Sequence, residues 1–229
     1  MPVSLPEMPD RIKRLARDER GYPVPRFVMW FTKAGKPAQL PRESDKPDFR
    51  YADQGFRYLA FKRGLCWLCG EPTGTHKVYV IGPMCVINRT TSEPACHRDC
   101  AEYAARACPF LINPREKRNL KGLDPEARSP GGTMIKRNPG CMALYETREA
   151  VMMGAPGYDG GGWLIRLGAP ERIDWWAEGR GATRGEVMAS IESGYPLLFA
   201  EAKKDGPEAI HDLGRMHLAA MKFMPAGAV

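Results

Sequence analysis

The chain is 229 residues long, 43% hydrophobic, and carries a formal charge of +7, which suits one large or two small globular domains rather than a disordered tail. No apolar run reaches the roughly eighteen residues a membrane span requires, and Met1 to Asp10 lacks the charged-then-apolar order of a signal peptide, so no membrane association and a cytoplasmic setting are expected. Seven cysteines, an odd number without dense spacing, argue for reduced thiols or metal ligands over a disulfide framework.

From Met1 to Pro25 prolines alternate with the short charged stretch Arg11 to Arg17, which reads as a surface arm with one or two helical turns. Arg26 to Phe31 has strand composition, and Thr32 to Pro47, punctuated by Gly35, Pro37, Pro41 and Ser44, reads as loop. Asp53 to Arg63 has helical periodicity, with Phe56, Leu59 and Ala60 expected inward and Arg57, Lys62 and Arg63 outward.

Next comes the most specific pattern in the chain. Cys66-Trp67-Leu68-Cys69-Gly70 places two sulfurs two residues apart in a tight turn, with a glycine able to take a positive φ just beyond the second. After twenty-seven intervening residues, His97 and Cys100 repeat the two-residue spacing, putting both on one face of a first helical turn. Cys66, Cys69, His97 and Cys100 therefore have the spacing of four ligands to one structural zinc ion. Cys96 offers an alternative partner for Cys100, at three intervening residues; His97 is preferred because its spacer mirrors the first pair. His76 is a weaker candidate at the start of a predicted strand.

Between the pairs, Lys77 to Ile81 and Cys85 to Ile87 are expected to form a β-hairpin through Gly82-Pro83, and a helix is expected from about Pro94 to Ala107, ended by Pro109. Knuckle, hairpin and ligand-bearing helix together resemble the treble-clef zinc finger. Cys-Trp-Leu-Cys-Gly, Ile-Gly-Pro-Met-Cys and Ala-Cys-Pro-Phe-Leu also resemble segments of a group of bacterial and phage proteins, a likeness that implies a setting but no activity.

Asn113 to Gly122 is basic and runs into a Pro/Gly-rich connector ending at Gly132. Beyond it Cys141 to Tyr145, Gly162 to Leu167 and Arg172 to Trp176 read as three strands of one small antiparallel sheet, with Tyr158 to Gly162 as a turn. Thr183-Arg-Gly-Glu186 is a capping box opening a helix through Ser193 that Gly194 should end, and Glu208 to Phe223 is a final amphipathic helix. The expected organisation is α+β: an arm, strand and helix over 1–64, a treble-clef zinc module over 65–110, a basic linker over 111–137, and over 138–229 a small antiparallel sheet followed by helices.

Charge is uneven along this plan. Residues 1–137 hold twenty-five Lys and Arg against fifteen Asp and Glu, a surplus of ten, whereas 138–229 hold nine against twelve, a deficit of three. A basic half carrying a zinc module suggests a polyanionic partner, with Arg115, Lys117, Arg118 and Lys121 as the candidate nucleic-acid contacts. Four protein ligands would close the zinc site, making it structural.

No catalytic residue is assigned. The HNH nucleases are the nearest enzymatic shape, with His76 and Asn88-Arg89 where a catalytic histidine and phosphate contacts would fall, but the sequence has no Asp-His pair. No phosphate-binding loop is present, since Gly160-Gly161-Gly162 lacks the following lysine. Glu171, Asp174 and Glu178 beside Trp175 and Trp176 read as a solvated face rather than a sugar-cleaving pair. The leading expectation is a zinc-stapled nucleic-acid-binding or regulatory protein. An enzyme acting on a nucleotide or modified nucleic acid, with the finger as scaffold, and a protein-binding adaptor are the alternatives.

Overall fold

A computed structural model describes residues 5–38, 41–117, 119, 121–123, 137–154 and 162–226. The connector through 129–132, Arg118, and most of the predicted turn at 158–162 lie outside them.

The fold is α+β. After α1 (Asp10–Lys13), strands β1 (Val28–Phe31), β2 (Pro37–Ala38) and β3 (Lys46–Ala52) form a three-stranded antiparallel sheet in the order β2-β1-β3. Helix α2 (Gln54–Arg63) starts where the Asp53 carboxylate accepts the Phe56 N–H and stops at Gly64, whose φ of 62° gives the left-handed cap.

The next elements are β4 (Lys77–Ile81), α3 (Pro83–Asn88), β5 (Thr90–Thr91), α4 (Arg98–Ala107) and α5 (Pro109–Ile112). Cys85 to Ile87, expected as the return strand of a hairpin, is helical. Pro83 at the first helical position has its φ already set for a helix and no N–H to lose, and Pro83, Val86 and Ile87, spaced three and four apart, are all buried. Strand β4 finds its partner elsewhere, in β6 (Met142–Thr147), with Tyr79 opposite Tyr145.

Then follow β7 (Ala150–Gly154), β8 (Trp163–Leu167), β9 (Arg172–Ala177), β10 (Arg180–Gly181), α6 (Arg184–Lys204) and α7 (Pro207–Met221). The three strands expected to share one sheet are divided between two. β6 and β9 join β4 in the order β10-β9-β6-β4, while β8 pairs with β7 and β5. β7 escapes a period-two reading because Ala150-Val-Met-Met-Gly154 has no polar alternation.

Gly194 does not end α6, which runs ten residues further, through Pro196. A Cβ on Gly194 would meet Cγ of Met84 at 3.0 Å, so this glycine serves the close approach of α6 to α3 rather than a stop. The capping box at the start of α6 is present in both directions, Glu186 N–H to Thr183 Oγ1 and Thr183 N–H to Glu186 Oε2.

The four-stranded sheet separates two cores. Along β6, Ala143 and Tyr145 face the side covered by α3, α6 and α7, with Val187, Ile191 and Leu213. Met142 and Leu144 face the other side, with Phe56, Trp67, Cys66, Cys100 and Ala101. The alternation of a strand thus assigns neighbouring residues to different cores.

Arg57 departs from its expected outward position. It is 5% exposed, with its guanidinium 3.8 Å from the centre of the Trp163 ring and N–H groups donating to the carbonyls of Ser92 and Trp163, both at 2.6 Å. Saturated with partners, the charge becomes a tie between α2 and β8. Leu59, expected inward, is 36% exposed.

Candidate metal centre

The turn Cys66 to Gly70 is closed by Gly70 N–H donating to the Cys66 carbonyl at 2.9 Å, and Gly70 has φ 83°. Cys66 N–H donates to the Glu71 carbonyl, and a bridge between Leu65 and Pro72 completes a small loop presenting both sulfurs. Trp67 anchors it, stacked between Phe27 at 4.6 Å and Phe56 at 5.7 Å. The second pair is set by α4. His97 is its N-cap rather than part of a helix beginning at Pro94, and Cys100 lies in the first turn. The two halves meet where Trp67 N–H donates to the Ala95 carbonyl at 2.8 Å, while Cys96 pairs with Val78 of β4, N–H to carbonyl in both directions.

Sγ of Cys66, Cys69 and Cys100 and a ring nitrogen of His97 lie within 4.8 Å of one another and could hold a metal ion. His97 Nδ1 is 3.4 Å from Cys69 Sγ and 3.8 Å from Cys100 Sγ. Bond lengths near 2.3 Å to sulfur and 2.05 Å to nitrogen, at a tetrahedral angle, require about 3.6 Å between such atoms. The other ring nitrogen, Nε2, donates to the Pro72 carbonyl at 2.8 Å, which turns the Nδ1 lone pair toward the sulfurs, as an outer hydrogen bond does for a metal-bound histidine. Buried Cys96 lies beside this group, against Cys66, and its backbone pairs with Val78 of β4.

The crowded sulfurs push one another's thiols in opposite directions. Hydrogen bonding from Cys100, then from Cys69 and Cys96, drives the Cys66 thiol far down. Hydrogen bonding to Cys66, then to Cys69, and then burial drive the Cys100 thiol up. A cation among them would remove that conflict by favouring the thiolate at every position. The remaining cysteines are inert: burial pushes Cys85 and Cys141 to about 11 and raises Cys108.

Beside this group lies an ion-pair chain that the sequence reading did not foresee. Arg98, next to His97, pairs with Glu146 and Asp174, the latter at 2.7 Å, and holds the Glu146 carboxyl below its usual range. Asp174 also pairs with Arg172 at 2.9 Å, and Glu178 with Arg180. Paired with arginine, none of these is a free catalytic carboxylate. Arg172, Asp174, Trp175, Trp176 and Glu102 line one side of an open depression of about 370 Å³. Asn88, considered as a phosphate contact, instead accepts the Thr90 N–H at the end of α3.

The basic segment follows α5. Arg115, Lys117 and Lys121 are exposed, with no carboxylate partner among the described residues. Two further arginines adjoin it: Arg50 of β3 donates to the Lys121 carbonyl at 2.6 Å, and Arg137 pairs its backbone with Lys117. No family model matches the chain, and no curated protein or solved structure is significantly similar to it.

Proposed function

We propose that the protein is a nucleic-acid-binding module stapled by one structural zinc ion. Three sulfurs and an imidazole favour zinc over harder divalent ions, and four protein ligands leave no position for substrate. Knuckle, β4 bridged to Cys96, and α4 beginning at His97 have the order of a treble clef, with α3 and β5 inserted between its two strand segments.

The observation that carries the nucleic-acid reading is the basic segment Arg115, Lys117 and Lys121, exposed, without carboxylate partners among the described residues, and adjoined by Arg137; Arg50, which donates to the Lys121 carbonyl, is itself paired with Asp48 at 2.6 Å. Such cations bind phosphates and displace condensed counterions, so affinity falls steeply with salt. Fluorescence anisotropy on labelled duplex and single-stranded DNA and RNA across a salt series tests this. Changing Arg115, Lys117, Arg118 and Lys121 to alanine should lower the log–log salt slope by roughly two to four, with little change in sequence preference. Absence of binding at low salt by the unaltered protein overturns the reading.

A further inference from the structure

We propose that His76, Glu146 and Glu171 form a second, solvent-facing site for a divalent cation, separate from the cysteine cluster. Three elements bring these residues together. His76 immediately precedes β4, Glu146 lies on β6 opposite Val78, and Glu171 leads into β9 with its N–H donating to the Glu146 carbonyl at 2.9 Å. The two glutamates are thus fixed side by side by backbone, not by side-chain chance.

One oxygen from each carboxylate is directed at the same atom. His76 Nδ1 is 3.1 Å from Glu146 Oε1 and 3.3 Å from Glu171 Oε2, and the three ligand atoms lie within 4.8 Å of one another. A protonated Nδ1 has a single N–H, which cannot point well at two acceptors at once. An ion can serve all three: bonds of about 2.0–2.2 Å at angles between octahedral and tetrahedral require donor separations of roughly 3.0–3.5 Å.

The outer oxygens are already held. Arg98 takes Glu146 Oε2 and Arg148 takes Glu171 Oε1 at 2.8 Å, leaving the inner oxygens aimed inward as outer-sphere partners do at metal sites. The His76 and Glu171 side chains are 56% and 39% exposed, so an ion here keeps open positions toward solvent, unlike the closed cysteine site. Nitrogen and carboxylate donors suit manganese and zinc.

Mn²⁺ is the discriminating probe because its hardness disfavours thiolates, so it does not compete for the cysteine cluster. Purified full-length protein is titrated with Mn²⁺ and free ion followed by electron paramagnetic resonance. One saturable equivalent is expected, weakened roughly tenfold or more in His76→Ala and in Glu171→Gln, since loss of even an outer partner costs about 10–100-fold. Zinc content and melting temperature, measured on the same samples, should be unchanged. If the unaltered protein shows no saturable Mn²⁺ uptake, or if both variants bind as it does, His76 is only an ion-pair partner and the proposal is overturned. This result is independent of nucleic-acid binding.

Discussion

The two cores on either face of the central sheet are built on different principles. On the α6/α7 side, Tyr145, Ile165, Val187, Ile191 and Leu213 are buried together, with the Tyr145 hydroxyl donating to the Gly168 carbonyl at 2.6 Å, and stability there scales with the apolar area buried. On the other side, Phe56, Trp67 and Leu144 pack with the alanine-rich inner face of α4 (Ala101, Ala105, Ala107) around Cys66 and Cys100, two of the four residues that could hold a metal ion. An ion held by those residues would add a cross-link to the apolar burial on this side. Leu144 and Tyr145, adjacent on β6 and both fully buried, belong one to each regime.

The largest effect should come from the ligands. Cys69→Ser is expected to unfold the finger side, because metal-binding energy, about 10 kcal/mol or more in small sites, is coupled to folding. Cys141→Ser, on the opposite face, should cost far less. Equal melting temperatures for the two variants would show that the cysteine cluster carries no special share.

Next in size are the two cores themselves. Leu144→Ala and Ile191→Ala should each cost about 2–5 kcal/mol by denaturant titration. With a strong chelator present, the cost of Leu144→Ala should shrink, since its surroundings are already loosened, while that of Ile191→Ala should hold. A common response would mean that the sheet does not insulate the cores.

Gly194→Ala tests the tight side. The added methyl meets Met84 and should cost about 1–3 kcal/mol by overpacking, less in a Met84→Ala background. An unchanged or raised stability would show that Met84 moves aside freely.

The smallest effect lies at the start of α6. Thr183→Ala removes the bond its hydroxyl accepts from the Glu186 N–H and the one it donates to the Glu186 carboxylate, about 1 kcal/mol. The Arg180 guanidinium, followed by the Thr183 N–H, holds Glu186 at about 2, below its ordinary 4.5. A lowered carboxyl stabilises fully above the unfolded value and loses that contribution as pH falls toward 2. Glu186→Gln should therefore melt lower than the unaltered protein at pH 6, with the gap closing between about pH 4.5 and 2. A gap that persists at pH 2 would rule out this linkage.

The ligand cluster was legible because covalent spacing along a turn and a first helical turn survives any packing around it. The neighbouring segment was not. Cys85-Val86-Ile87 has strand composition, but Pro83 and the burial of Val86 and Ile87 against the C-terminal helices decide for helix, and those helices lie a hundred residues away in sequence. Gly194 carried the same ambiguity: a glycine after a helical run signals a stop or a close contact, and only the position of Met84 tells which. Arg57 reads as solvent-facing until Trp163 and two carbonyls supply its partners. The His76 cluster was hidden because its carboxylates come from β6 and the approach to β9, whose pairing with each other and with β4 no local pattern announces.

The position of β4 has a consequence for solubility. It is the last strand of its sheet, and an uncovered outer strand is a template on which other chains can add. Here Val78 is occupied on that side by Cys96, with backbone hydrogen bonds of 3.1 and 2.7 Å, and Cys96 immediately precedes the ligand His97. The ligand cluster thus also holds the guard over the open edge. If an ion is held there, removing it should do more than soften one core: it should release that guard and promote strand-paired aggregation, visible as light scattering that grows with protein concentration.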